Sequence, residues 1–169
     1  LNYGAGSGSL MLAGEALKTA ISADLTHIPY PGFPQVTTAI VGQDIQAAFM
    51  APAIAMTQIK SGKVKALGIT SLTEVSELPG LAPLASQGFP GFEAISWNAI
   101  LAPGNTPPAI IERLQKELSL IIQSDDIKAK FAAQYFTAVG SSPLELTRVM
   151  REETSRWDEV IARLKLSLD

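Results

Sequence analysis

Near the start of the chain, Gly4-Ala5-Gly6-Ser7-Gly8-Ser9 runs directly into an apolar stretch of helical period. Residues this small leave backbone N–H groups open to a ligand, and the N-terminus of a following helix adds about half a positive charge. The chemistry this arrangement suits is binding of an anion. A nucleophilic role for Ser7 or Ser9, suggested by the look of Gly6-Ser7-Gly8, would need a histidine base with an acid behind it. The sole histidine, His27, falls in a strand pattern beside Ile28-Pro29 and reads as structural or pocket-lining. One His and no Cys make a transition-metal site unexpected. The Lys-Ser/Thr pair of a P-loop is missing and the dinucleotide glycine spacing is not met, which leaves phosphate as a minor alternative. No catalytic residue and no cofactor is assigned.

The bulk properties narrow the class. With 169 residues, 47% of them hydrophobic, the chain can form one good core or two small lobes. Thirteen basic against sixteen acidic residues leave a net charge of −3 with no block of like charge, so no nucleic-acid partner is expected. Every apolar stretch is broken by Pro, Gly or charge before the roughly 20 residues a bilayer span needs. The lack of Cys fits either redox compartment. Leu1-Asn2-Tyr3-Gly4 reads as the end of a strand already under way, which predicts that the chain starts at an internal point.

The elements that must position the loop follow from periodicity. A helical stripe of Leu10, Ala13, Leu17, Ala20 and Ile21 leads to a strand at 25–30 that closes at Pro31-Gly32. A helix over 35–41, a strand over 45–50, a helix from Pro52 to Lys60 and a strand over 64–70 come next, separated from the last by the turn Ser61-Gly62-Lys63. Strands alternating with helices predict a mainly parallel sheet covered on both faces. Residues 72–93, punctuated by Pro and Gly, read as a connector with one short helix near 82–87. A strand over 94–101 follows. Thr106 is then expected to cap a helix carrying Ile110, Ile111, Leu114, Leu118, Ile121 and Ile122. Ser124-Asp125-Asp126 starts another helix, 136–139 a short strand, and the capping box Ser142-Pro143-Leu144-Glu145 a last helix with Leu146, Val149, Met150, Trp157, Ile161 and Leu164 on one stripe.

Several segments in order give the chain a likeness. Leu1 to Ser9, Leu12-Ala13-Gly14-Glu15, and His27-Ile28-Pro29-Tyr30-Pro31-Gly32 resemble the second-lobe motifs of tripartite tricarboxylate transporter receptors, also called Bug receptors. So do Ile59 to Leu67, Gly88-Phe89-Pro90-Gly91-Phe92-Glu93, and Ser96-Trp97 leading to Leu101-Ala102-Pro103-Gly104-Asn105-Thr106-Pro107-Pro108. The resemblance implies a non-catalytic periplasmic receptor that closes two α/β lobes on a small organic carboxylate and hands it to membrane transporter subunits. It implies an α/β fold, a periplasmic-binding-protein type II-like lobe with trailing C-terminal helices. Residues 1–93 correspond to the ligand-binding lobe, and 94–169 to a crossover strand and helices that in the family return to a first lobe whose N-terminal part this chain lacks.

Carried over by position, the ligand-facing residues are Gly6, Ser7, Gly8 and Ser9, then Tyr30 and Gly32, then Met50, Ala51 and Pro52. Many relatives have Lys where this chain has Pro31, and an Asp-Asn pair where it has Met50-Ala51. Those departures imply a more apolar pocket, suited to a less polar or aromatic acid rather than citrate. The other readings are an enzyme of acyl or phosphoryl transfer using the Gly/Ser loop, and an interaction module that pairs as a homo-oligomer or with a chain carrying the missing lobe. Trp97 is read as core or hinge filler, Trp157 as packing, Asp125-Asp126 as a helix first turn, and the charges of the last helix as a solvated face.

Overall fold

The computed structural model describes residues 1–164. Within them the chain divides into two compact units, Leu1–Ser96 with the chain from Glu159 onward, and Trp97–Asp158.

The first unit is built from β1 (Asn2–Ala5), α1 (Gly8–Ile21), β2 (Thr26–Pro29), α2 (Phe33–Val41), β3 (Ala47–Phe49) and α3 (Pro52–Lys60). The strands form a parallel sheet in the order β2-β1-β3. Tyr3 lies in register with His27 and Ala47, Gly4 with Ile28 and Ala48. Because side chains alternate along a strand, β1 serves two cores. On one face Tyr3, fully buried, lies under α1, where a Cβ at Gly14 would overlap its ring. On the other, Val36 and Ala39 of α2 pack with Ile45, joined by Ile28, Tyr30, Ile40, Ala48 and Met50. A Cβ at Gly4 would come within 2.8 Å of Ile45 Cδ1 and 3.2 Å of the Tyr30 ring, so the central strand needs glycine there.

Beyond α3 the expected fourth strand over 64–70 is absent. Its backbone groups are bound singly: Ile69 N donates to Ala82 O, Leu84 N to Ile69 O and Ala94 N to Thr70 O, leaving one isolated Ile69–Pro83 bridge. The short helix near 82–87 is a single 3-10 turn, Leu84–Ser86. The strand expected over 94–101 does not form either. Residues 95–101 are exposed, and among the described residues no strand lies beside them to complete a ladder.

The second unit carries α4 (Pro108–Ile122), α5 (Asp125–Ala133) and most of α6 (Pro143–Leu164). Pro107, not Thr106, occupies the cap of α4, with no side-chain capping bond. The capping box of α6 forms as expected: Glu145 N donates to Ser142 Oγ (3.2 Å), and Ser142 N donates back to Glu145 Oε2 (2.8 Å). The Ser142 N–H, and after it the Ser142 hydroxyl, which also donates to Glu145 Oε2 (2.8 Å), hold the Glu145 carboxyl below the usual carboxylate range. Residues 136–139 form no strand, because Gln123 Nε2 donates to Val139 O (2.9 Å) and Ser119 Oγ to Gly140 O (3.2 Å), so this stretch is tied to α4 side chains. The Leu164 side chain lies outside the described residues.

Candidate ligand-binding site

Three short connections carry the chain from strand to helix in the first unit: Gly6-Ser7, Tyr30-Pro31-Gly32 and Met50-Ala51. The strands are parallel, so all three lie at one edge of the sheet, each followed at once by a helix N-terminus. Carboxyl ends of parallel strands are where open α/β sheets take ligands. Helix N-termini carry partial positive charge and unpaired N–H groups. The three do not offer the same donors. Pro34 in α2 and Pro52 in α3 have no N–H, whereas the first turn of α1 holds Gly8, Ser9 and Leu10. Ser7 caps α1, its Oγ accepting from Leu10 N at 3.4 Å and lying 3.1 Å from Ser9 Oγ. Gly8 and Ser9 have no carbonyl a turn earlier to bond to, and both are exposed.

The three connections contain no charged side chain. What they can offer an anion is therefore backbone N–H groups, the Ser7 and Ser9 hydroxyls and helix-end charge, with no group that must change protonation. Ser7 has no histidine partner: His27 points to the Tyr3 side, its ring centroid 5.1 Å from that of Tyr3. Among the described residues no cluster of three or more His, Cys, Asp or Glu is placed to hold a metal ion.

A polar group that the helical stripe did not reveal lies beneath the loop. Glu15 is buried in α1, where it accepts from the Tyr3 hydroxyl at 2.7 Å and faces Lys18 Nζ at 3.7 Å. Burial, then the bond and charge of Glu15, push the Tyr3 phenol far above its ordinary range. His27 Nε2 is buried without a hydrogen-bond partner, and burial lowers the imidazole's proton affinity against a smaller opposite effect of Glu15. The buried set of α1 is Leu12, Ala13, Gly14 and Glu15, shifted from the expected stripe, whose Ala20 is exposed. The signal available in sequence was the pairing of Gly14, which admits the Tyr3 ring, with the acid next to it.

The expected ligand-facing residues fall at that single edge. Ser7, Gly8, Ser9 and Pro52 are exposed, while Gly6, Gly32 and Ala51 are half-buried. Tyr30 and Met50 also pack in part against the α2 core. Phe33, the first residue of α2, was not singled out in the sequence, yet its ring covers Gly6 so closely that a Cβ there would overlap it. A surface depression lined by Tyr30, Pro34, Gln35, Thr38, Ala39 and Asp44 lies against α2. Its one charged group is a carboxylate, which disfavours an anion there.

Over residues 1–166 the sequence matches the description "Tripartite tricarboxylate transporter family receptor". The chain belongs to this receptor family. It is 30% identical over 160 residues to a UPF0065 protein of the tcbD-tcbE intergenic region of Pseudomonas sp. strain P51, covering 94% of this chain and 48% of that one. To a UPF0065 protein of the clcB-clcD intergenic region of Pseudomonas knackmussii it is 32% identical over 163 residues, 94% of this chain and 95% of that one. The receptor chain thus spans about half the length of the first relative and nearly all of the second. Among solved structures, MatC from Rhodopseudomonas palustris with bound malate superposes with a TM-score of 0.72 at 25% identity, covering 95% of this chain and 56% of that one. The α/β fold with its parallel sheet is that of this family's periplasmic binding proteins.

Proposed function

We propose that this chain forms part of a periplasmic solute receptor and grips the carboxylate of a small organic acid for a tripartite tricarboxylate-type transporter. The observation that carries this reading is the convergence of three helix N-termini at the carboxyl edge of one parallel sheet, with Gly8 and Ser9 of α1 supplying N–H groups. Gly6, Ser7, Gly8 and Ser9 bind the carboxylate. Tyr30, Gly32, Met50, Ala51 and Pro52 shape the rest of the site. Binding at such an edge needs no bond to be broken, in keeping with a family of receptors rather than enzymes. The malate held by the related MatC is an acid of the proposed class.

Three measurements test the reading. Native mass spectrometry of the purified chain is expected to show a co-purified organic acid, and calorimetry to give an affinity that is flat between about pH 6 and 8, because the three connections contain no Asp, Glu, His, Lys or Arg. Affinity that falls steeply across that range, or turnover of an ester or phosphate, defeats it. In a thermal-shift screen, aromatic or short aliphatic acids are expected to rank above tricarboxylates, since Met50 and Ala51 add no polar group. A clear preference for citrate would count against the apolar pocket.

A further inference from the structure

We infer that Phe33 determines which acids the site accepts: its ring is an apolar wall beside the carboxylate-binding loop and selects acids with a hydrocarbon segment next to the carboxyl group. This rests on the reading of Gly6–Ser9 as the carboxylate-binding loop. One contact positions the ring and two features fix the backbone that carries it. The ring lies against Gly6, where any side chain would overlap it. The Phe33 carbonyl accepts from Thr37 Oγ1 at 2.8 Å, and Pro34 stiffens the backbone immediately after it. Phe33 is half-buried at the edge where α1 and α2 begin. None of the three connections brings a charged side chain to that edge. A carboxylate seated on the Gly8 and Ser9 N–H groups therefore has its adjoining carbons next to an aromatic surface. A few polar donors beside an apolar wall is the usual composition of a small-molecule site.

The test is an amide NMR titration of the whole chain with acetate, butyrate and hexanoate, comparing wild type with Phe33→Ala and Phe33→Leu. For wild type, shifts at Gly8 and Ser9 are expected to locate binding, and affinity to rise with chain length by up to about fourfold per methylene in contact with the ring. Phe33→Ala is expected to bind acetate within about twofold of wild type but to lose the gain with chain length. Phe33→Leu is expected to keep most of it, and it carries the test alone should Phe33→Ala fail to fold. Equal weakening for all three acids in Phe33→Ala, meaning that the ring only supports the loop, overturns the inference, and so does an undiminished gain. Wild-type protein that binds none of the acids at Gly8 and Ser9 overturns the reading of the loop itself, and the inference with it.

Discussion

Tyr3 and Glu15, about two helix turns from the start of α1, fasten that helix to the central strand. Tyr3→Phe keeps the ring against Gly14 but leaves a buried carboxylate short of its best donor, which is expected to cost about 1–3 kcal/mol by urea unfolding. Adding Glu15→Leu to that variant removes the buried carboxylate that has lost its hydroxyl donor, so the double variant should recover part of the loss; additive losses would show that the pair is not coupled. His27 adds a pH signature. Its folded-state proton affinity is lowered, so its contribution is complete above the ordinary value of 6.5 and is lost as pH falls from there through the lowered value. Melting temperature should fall between about pH 7.5 and 5.5, and His27→Gln should flatten that slope. The loop itself was legible from Gly6 to Ser9, because small residues before a helical pattern have few uses. Phe33 was not, because its importance comes from a contact with Gly6 across 27 positions that no local pattern encodes. Nor was Glu15, whose burial depends on the Tyr3 hydroxyl.

At the scale of elements, three helices end in one hydrogen-bond pattern with different residues at its left-handed position. After α3, Gly62 (φ 72°) donates to Ile59 O and Lys63 N to Gln58 O. After α2, Gln43 (φ 66°) donates to Ile40 O and Asp44 N to Ala39 O, and after α5, Tyr135 (φ 62°) donates to Ala132 O and Phe136 N to Phe131 O. Left-handed backbone crowds the Cβ of every residue except glycine. Gln43→Gly is therefore expected to stabilise the first unit by about 0.5–1 kcal/mol, and Gly62→Ala to destabilise it by about 1 kcal/mol, both read from denaturant midpoints. A loss on Gln43→Gly would mean that the glutamine side chain holds something the backbone pattern does not explain. Only the Gly62 turn was readable in sequence, since Gly marks such turns and Gln does not. The strand-helix alternation through residue 60 was equally readable from its periods. The strands expected over 64–70, 94–101 and 136–139 were not correct, because an apolar run becomes a strand only where another strand completes its ladder, and the local sequence carries no record of that partner.

For the molecule as a whole, the unresolved balance lies in the helical unit. The stripe expected on α4 is only partly covered: Ile110 is 50% exposed, Leu114 47% and Ile121 53%, Ile111, Leu118 and Ile122 are half-buried, and no α4 residue is fully buried. Isolated apolar residues on a surface need no explanation, but a row at helical spacing forms a contiguous patch, and soluble monomers seldom leave more than a few hundred Å² of that kind open. Association is the physical outcome expected when such a face meets another apolar surface, and copies of the same chain are always at hand. Sedimentation velocity over roughly 5–200 μM is expected to show concentration-dependent association that weakens sharply in Leu114→Glu/Ile121→Glu. Those substitutions lie in the second unit while the loop Gly6–Ser9 lies in the first, so carboxylate binding should survive them. Loss of binding together with association would mean that the site is complete only in the assembled form. An ideal monomer across the whole range would show that the patch is too small to drive association.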